Sequence, residues 1–387
     1  MGEHGLRYGP HLAAFSVGYV LFSYASVPGT VVTEFGVGYT AVGLLMSVAL
    51  GAFVVVQTVG GRLVDDRSTL PVLLGIVLVN AGFAVLLDLV SSFSVLLGLR
   101  AVWGLAGGLA VTVCATHISR IYDGPTATLH QGISGAMFTA GGAVAFVLTP
   151  AVVAETGWFG VHAVGALASV PAIVALASAY ELAERVGPLE AESPSADGGA
   201  SRSRLSVFRN RTVVLAATCN FATLGGYVTL STFVAAYFDD LGLVGPLSAL
   251  ALFVASAGRL GGGIAVVRPD VPDGRVIAGA AGVGALSLFA LTIGDGLALV
   301  VLPLIALAAV SLPFGAIFKT AATATSRDGT AVAVVVAAGN VAALLLPAIT
   351  GWLRDVTGGY DGAFALLALL NLVGTAAGLA IARRTQR

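Results

Sequence analysis

The sequence contains few charged residues. Only 10% of its 387 residues are Asp, Glu, Lys or Arg, whereas 57% are hydrophobic. A soluble domain carries about 25% charged residues, so a soluble fold of this length could not cover its surface with polar side chains. The composition therefore excludes a soluble protein. The net charge of −1 also excludes a field strong enough to attract nucleic acid.

Cysteine is equally scarce. Cys114 and Cys219 lie inside apolar runs, with no second thiol or histidine at metal-ligand spacing. The chain also lacks the nucleophile–base pair or phosphate-binding loop that a membrane-embedded enzyme would need. We therefore expect no catalytic residue, no metal and no cofactor. A sensor that signals without transport is disfavoured, because no folded signalling domain accompanies the apolar segments.

Apolar segments long enough to cross a membrane are abundant. A helix needs about 20 residues to span about 30 Å of hydrocarbon. Such segments lie at about 11–33, 39–62, 70–90, 93–116, 130–153, 159–182, 212–237, 246–267, 274–293, 297–319, 330–350 and 362–382. The 51 glycines favour close helix packing. The expected fold is an all-α polytopic membrane protein with twelve transmembrane helices in two pseudo-symmetric six-helix bundles.

A polar stretch separates the two groups of six. It predicts an N-terminal bundle at 1–182, a cytoplasmic linker at 183–211 and a C-terminal bundle at 212–387. With the N-terminus inside, every Lys and Arg except Arg100, Arg259 and Arg354 lies in a cytoplasmic segment or at its helix edge, as the positive-inside rule describes. We expect an inner or plasma membrane protein with both termini in the cytoplasm, functional as a monomer in the lipid bilayer.

The turn after the second span carries Gly61-Arg62-Leu63-Val64-Asp65-Asp66-Arg67. The spacing Gly-x-x-x-Asp followed by a basic residue resembles the cytoplasmic loop signature of the major facilitator superfamily. The resemblance covers the whole chain and implies two six-helix bundles that rock about a central site. It also implies that Gly61, Asp65 and Arg67 brace the inward-closed state. A solvated charged turn that only sets topology is the alternative.

Arg100 is followed by Gly104 and Gly108, which resembles the intramembrane arginine and four-residue glycine spacing of the same superfamily. A charge inside a span costs about 2.5–3.5 kcal/mol on insertion scales, so it indicates function. We expect Arg100 to bind substrate or to gate, and the two glycines to have structural or gating roles. Snorkelling of Arg100 toward the outer surface is the alternative.

Arg259 lies among glycines in the eighth span, and Arg259-x-x-Gly262-Gly263 matches the spacing of Gln57-x-x-Gly60-Gly61 in the second. Such internal repeats are typical of transporters that bind substrate near the midplane. The motif resembles the substrate-binding arginine of nitrate/nitrite porters, and the stretch 312–319 resembles both nitrate and cyanate porters. An Arg fork suits planar oxyanions. Gln57 stands where the nitrate family has its second Arg.

The leading hypothesis is a secondary transporter that moves a small solute, specifically an anion such as nitrate, cyanate or a carboxylate, by alternating access. Protons or Na⁺ are the coupling ions considered, and His117 and His130, which flank one loop, suggest a proton relay. The alternative is a proton-coupled exporter of drugs or hydrophobic metabolites. Polar candidates for substrate binding, each open to a purely interhelical role, are Tyr24, Gln57, Asn220, Tyr227 and Asn340.

Overall fold

The protein is described by a computed structural model that covers residues 2–187, 209–243, 247–267, 271–325 and 328–385. All regular structure in these ranges is helical. The α-helices are α1 Gly2–Phe22, α2 Pro28–Phe35, α3 Tyr39–Asp65, α4 Thr69–Leu86, α5 Phe93–Ile121, α6 Gly124–Thr156, α7 Gly160–Ser178, α8 Arg211–Asp240, α9 Leu247–Val267, α10 Asp273–Leu291, α11 Ala298–Ser311, α12 Phe314–Thr323, α13 Asp328–Thr357 and α14 Asp361–Thr385.

These helices account for the twelve predicted spans. Within the described ranges, nine stretches are long and apolar enough to cross a membrane, and one of them, Leu129–Ser178, contains both α6 and α7. The bent pair α1–α2 supplies another span, and the apolar helix at Leu247–Gly263 is somewhat shorter. The prediction of an all-α polytopic membrane fold is confirmed.

Two spans are broken, where the sequence predicted continuous helices at 11–33 and 297–319. α1 and α2 meet at 66° across a 3₁₀ turn at Ser23–Ser26. α11 and α12 are separated by Leu312 and Pro313. Proline lacks an N–H and fixes φ, so it fits the first turn of a helix but not its interior. Pro28 at the start of α2 and Pro313 before α12 are consistent with this rule.

The chain divides into two compact units. The first contains Met1–Val37 and Leu44–Pro194, and the second contains Gly38–Gly43 and Ser195–Arg387. Most of the predicted linker at 183–211 lies outside the described residues. Its first residues belong to a 3₁₀ segment at Tyr180–Val186.

Polar side chains cap three helix starts, whose first N–H groups have no partner within their own helix. Asn210 accepts from the backbone N–H of Thr212 at the start of α8 at 2.9 Å. Asp88 accepts from two N–H groups in the first turn of α7 at 2.7 and 2.6 Å. In the second unit, Asp355 accepts from the N–H groups of Tyr39 and Thr40 at 2.7 and 2.8 Å.

Glycines allow helix backbones to approach closely within each unit. α5 packs against α3 at the two predicted glycines: a Cβ on Gly104 would lie 2.5 Å from the carbonyl oxygen of Ala49, and one on Gly108 would lie 2.7 Å from the Cα of Phe53. In the second unit, a Cβ on Gly262 of α9 would overlap the carbonyl oxygen of Leu312. These contacts exclude any larger side chain at the three positions.

Gly262 and Gly263 provide a matched test of this packing. Gly262→Ala should lower the apparent melting temperature and the yield of folded protein, since overpacking against a backbone atom costs about 1–3 kcal/mol. Gly263→Ala should be neutral or stabilising, because Gly263 is exposed with open space around it and alanine is the better helix former. Thermal unfolding of the purified variants, monitored by size exclusion, measures both. Equal behaviour of the two variants would contradict this packing.

Candidate functional site

The two intramembrane arginines lie in different units, and each faces a broken helix. Arg100 is completely buried in the first unit. Its guanidinium donates to the carbonyl oxygen of Val20 at 2.9 Å and also to that of Leu21. These residues form the last turn of α1, where carbonyls lack intrahelical partners and the helix dipole favours a cation. Arg100 thus caps the end of α1 at its break.

Aromatic rings enclose the Arg100 guanidinium. Its central carbon lies 4.7 Å from the ring centroid of Tyr24 and 4.6 Å from that of Trp103. The Trp103 indole donates to Asn80 Oδ1 at 2.9 Å, and Asn80 donates to Ser169 Oγ at 3.2 Å. A buried chain of contacts therefore joins α1, α5, α4 and α7.

An ion pair lies next to this network. Asp88 Oδ1 is 2.6 Å from His162 Nδ1, and both side chains are almost completely buried. The His162 ring stacks on Tyr24 with centroids 6.3 Å apart. The sequence patterns did not single out Asp88. A polar residue between two long apolar runs was the available signal, but its partner is 74 positions away in the chain.

Arg259 lies in a different environment in the second unit. Its guanidinium carbon is 4.2 Å from the ring centroid of Tyr227 on α8 and 4.4 Å from that of Phe314, the first residue of α12. The side chain is half-buried, and its Nε is buried with no hydrogen-bond partner. Among the described residues, no carboxylate forms an ion pair with it.

Two other cations of the second unit have acidic partners. Arg354 donates to both oxygens of Asp240 at 2.9 Å. Lys319, assigned from sequence as a membrane anchor, lies 3.2 Å from the Asp273 carboxylate. The contrast identifies Arg259 as a membrane-embedded cation without a counter-ion among the described residues.

The remaining polar candidates are distributed over both units. Tyr24 and Arg100 contact each other in the first unit, whereas Tyr227 and Arg259 do so in the second. Asn220 is fully buried and donates to the Val335 carbonyl at 2.8 Å, which joins α8 to α13.

Asn340 is half-buried on α13. The side chains of Gln57 and Asp65 and the surroundings of Gly61 are not described by the structure. Arg67 is exposed, and its carbonyl accepts from Arg120 at 2.7 Å.

The second unit also contains a small apolar cavity of about 20 Å³. It lies among α8, α11, α13 and α14 and shares no residue with the Arg259 contacts. Phe233, Tyr237, Tyr360 and Phe364 supply its aromatic wall. Thr229, Thr350 and Tyr360 also belong to its lining. A cavity of this size has room for about one water molecule.

The helices and their embedded arginines define a polytopic helical membrane protein with chemistry suited to binding a solute. A sequence model of the Major Facilitator Superfamily matches residues 11–328. The chain belongs to this superfamily and is a membrane transporter of its type. No curated protein sequence matches the chain.

Solved structures show the same fold. One is a bacterial homolog of the human lysosomal transporter Spinster in an inward-facing, unoccupied conformation, with a TM-score of 0.77 and 16% identity over 98% of this chain and 96% of that one. The inward-facing, occupied conformation of such a homolog gives 0.71 and 15% over 99% and 97%. At these identities the likeness concerns the fold.

The contacts of Arg100 yield a stability prediction. Arg100→Lys should destabilise the first unit, because an ammonium lacks the two-pronged fork that meets both carbonyls, and an unpaired buried carbonyl costs about 1–3 kcal/mol. Arg383→Lys, at an exposed position near the end of α14, is the control. Apparent melting temperatures of both variants measure the difference. An Arg100→Lys protein as stable as the control would show that the α1 break does not require the fork.

Proposed function

We propose that this transporter moves a small anion across the membrane by alternating access and that Arg259 binds the anion. The proposal is carried by one observation. The Arg259 guanidinium lies in a membrane-spanning helix against two aromatic rings, and no carboxylate pairs with it among the described residues.

An unpaired cation at this position costs free energy unless a ligand of opposite charge pairs with it. Charged groups within spans are rare and generally pair with other groups or face a water-filled pathway. Arginine remains protonated when buried, so it cannot avoid the cost by losing its proton. A transported anion would offset the free-energy cost of desolvating Arg259 while it is bound. A cationic solute would add electrostatic repulsion to this cost.

The contacts of Arg259 favour a planar oxyanion. Tyr227 and Phe314 approach the guanidinium carbon from two helices and restrict where it can lie. The N–H groups at the edge of the fork can then donate two parallel hydrogen bonds in one plane. Nitrate and small carboxylates accept such a pair, and cyanate accepts at one end. These three remain the proposed substrate class.

The start of α12 adds to the preference for an anion. Phe314 is the first residue of α12, so its ring connects Arg259 to the N-terminal end of that helix. Helix N-termini carry a partial positive charge and unpaired N–H groups. Two sources of positive potential therefore occur in the same part of the second unit.

The other candidates take supporting roles in this proposal. Tyr227 positions Arg259, whereas Asn220, Asn340 and Gln57 remain candidate contacts to the solute. Arg100 stabilises the end of α1 at its break and does not contact the solute, because its side chain is completely buried. Both termini face the cytoplasm, and a proton or Na⁺ gradient drives the monomer.

Anion uptake by the full chain in liposomes tests the proposal. We expect uptake of labelled nitrate, cyanate or a small carboxylate, and an increase of about 10–100-fold in its half-saturating concentration in Arg259→Gln, since a charge-assisted hydrogen bond contributes about 1.5–3 kcal/mol. Arg259→Lys should be intermediate, because it keeps the charge but loses the planar fork.

Arg383→Gln removes a positive charge at an exposed helix end and should leave uptake unchanged. Circular dichroism and size exclusion establish that each variant is folded. Folded Arg259→Gln with wild-type anion uptake would contradict the assignment of Arg259. A wild-type protein that moves none of these anions would contradict the substrate class.

Export of hydrophobic drugs or metabolites is the second candidate. The small apolar cavity among α8, α11, α13 and α14, with four aromatic residues in its lining, supports it. Efflux of a hydrophobic dye from the same liposomes separates the two functions. Dye export that is reduced in Phe364→Ala and unaffected in Arg259→Gln would favour the exporter.

A further inference from the structure

Two histidines of the first unit contact each other across the α1–α6 interface. His11 Nε2 lies 3.0 Å from His130 Nδ1, and the ring centroids are 5.2 Å apart. His11 is only 4% exposed, whereas His130 is half-buried. The interface around them is tight, because a Cβ on Gly18 of α1 would overlap a backbone carbonyl of α6.

The contact between these two nitrogens holds one hydrogen. One nitrogen must carry it and the other must accept it, whichever tautomer each ring adopts. A proton added to the outer nitrogen of either ring leaves this bond in place and makes it charge-assisted, hence stronger. A second added proton would place two N–H groups face to face at 3.0 Å. The pair can therefore accept one proton readily and a second only at high cost.

The surroundings favour His130 as the charged ring. His11 Nδ1 is buried and has no hydrogen-bond partner among the described residues. A charge on His11, which is only 4% exposed, would be desolvated in the protein interior. His130 is more exposed, and its ring stacks on Tyr122 with centroids 3.8 Å apart and planes 7° apart. The electron-rich face of an aromatic ring stabilises a neighbouring cation.

The other titratable groups near the pair do not take this role. His117 has both nitrogens engaged, with the Leu6 carbonyl at 2.9 Å and the Thr69 hydroxyl at 2.8 Å. Burial raises the pKa of Tyr122, so its phenol stays neutral. The remaining ionisable or charged side chains of α1 and α5 on this side of the unit are Glu3, His4, Arg7, Tyr8, Cys114 and Arg120, and Asp123 precedes α6. Glu3 pairs with Arg185. Within the described residues, no carboxylate forms a hydrogen bond or ion pair with either imidazole.

We propose that the His11–His130 pair is a proton-binding site that takes up one proton between about pH 8 and pH 5 and holds it on His130. Because α1 leads directly to the break that Arg100 caps, the charge on the pair acts at one end of a segmented helix. That this proton is the coupling ion rests on the proposed transport function.

Nuclear magnetic resonance of the full chain with ¹⁵N-labelled histidine rings, in lipid nanodiscs, tests the site without any solute. His11→Gln and His130→Gln assign the two rings among the five histidines. We expect one hydrogen-bonded N–H···N pair at about pH 8, and one imidazolium with one neutral imidazole at about pH 5. Two charged rings at the lower pH, or two neutral rings throughout, would overturn the proposal.

Replacing His11 tests the coupling between the rings. In His11→Phe, the half-protonation point of His130 should fall by about one pH unit, since its charged form loses an acceptor. His4→Gln, at an exposed position of the same helix, should leave it unchanged. An unmoved His130 titration in folded His11→Phe would show that the two rings titrate independently and that no shared site exists.

A transport experiment tests whether this proton is the coupling ion. If wild-type liposomes take up an anion, His130→Gln should lose the stimulation by a pH gradient and retain exchange of labelled for unlabelled anion. Unchanged stimulation in His130→Gln would overturn the coupling role. If the wild type moves no anion, the proposed function fails, and the resonance experiment still decides the proton site.

Discussion

Backbone hydrogen bonding inside the bilayer is the constraint on which this structure depends. A broken helix exposes carbonyl and N–H groups that lipid cannot satisfy, so the protein must supply their partners. The break after α1 meets this demand with Arg100, whose fork reaches the carbonyls of Val20 and Leu21. The charge, planarity and burial of Arg100 all follow from the break. Its aromatic enclosure by Tyr24 and Trp103 then fixes α5, α4 and α7 around the same point.

The second break has the opposite polarity. Arg100 faces the C-terminal end of α1, where a cation is stabilised, whereas Arg259 contacts the residue that begins α12, where a helix dipole disfavours one. The aromatic rings of Tyr227 and Phe314 compensate in part by cation–π attraction. Two arginines that look alike in the sequence therefore have different surroundings. One donates to the carbonyls of a helix end, and the other packs against two aromatic rings.

The sequence predicted the fold better than the site. Length and apolarity decide whether a segment can span a membrane, and both are local, so twelve spans could be counted without any contact. Arg100 and Arg259 were singled out by the cost of a charge in lipid, which is also a local property. Their partners could not be predicted, because Val20 and Phe314 are apolar residues whose contribution depends on where a helix breaks. Pro28 and Pro313 stand at the two breaks, but neither shows which distant side chain meets the exposed backbone groups.

The histidine pair shows the same limit. His11 and His130 are separated by 119 positions, and no spacing rule connects them. Sequence reasoning instead linked His117 with His130 because they flank one loop. In the structure His117 is hydrogen-bonded to a carbonyl and a hydroxyl, and the contact of His130 with His11 could not be predicted from proximity along the chain.

Buried polar atoms without partners indicate where each unit can still form hydrogen bonds. In the second unit they include Asn220 Oδ1, Thr229 Oγ1 and Ser231 Oγ on α8. Such atoms are costly in a protein interior, so each requires a reason to persist. Arg259 contacts the same helix through Tyr227. A solute or water that satisfies α8 would remove this cost when bound and restore it on release, which suits a transporter that must bind its solute without retaining it.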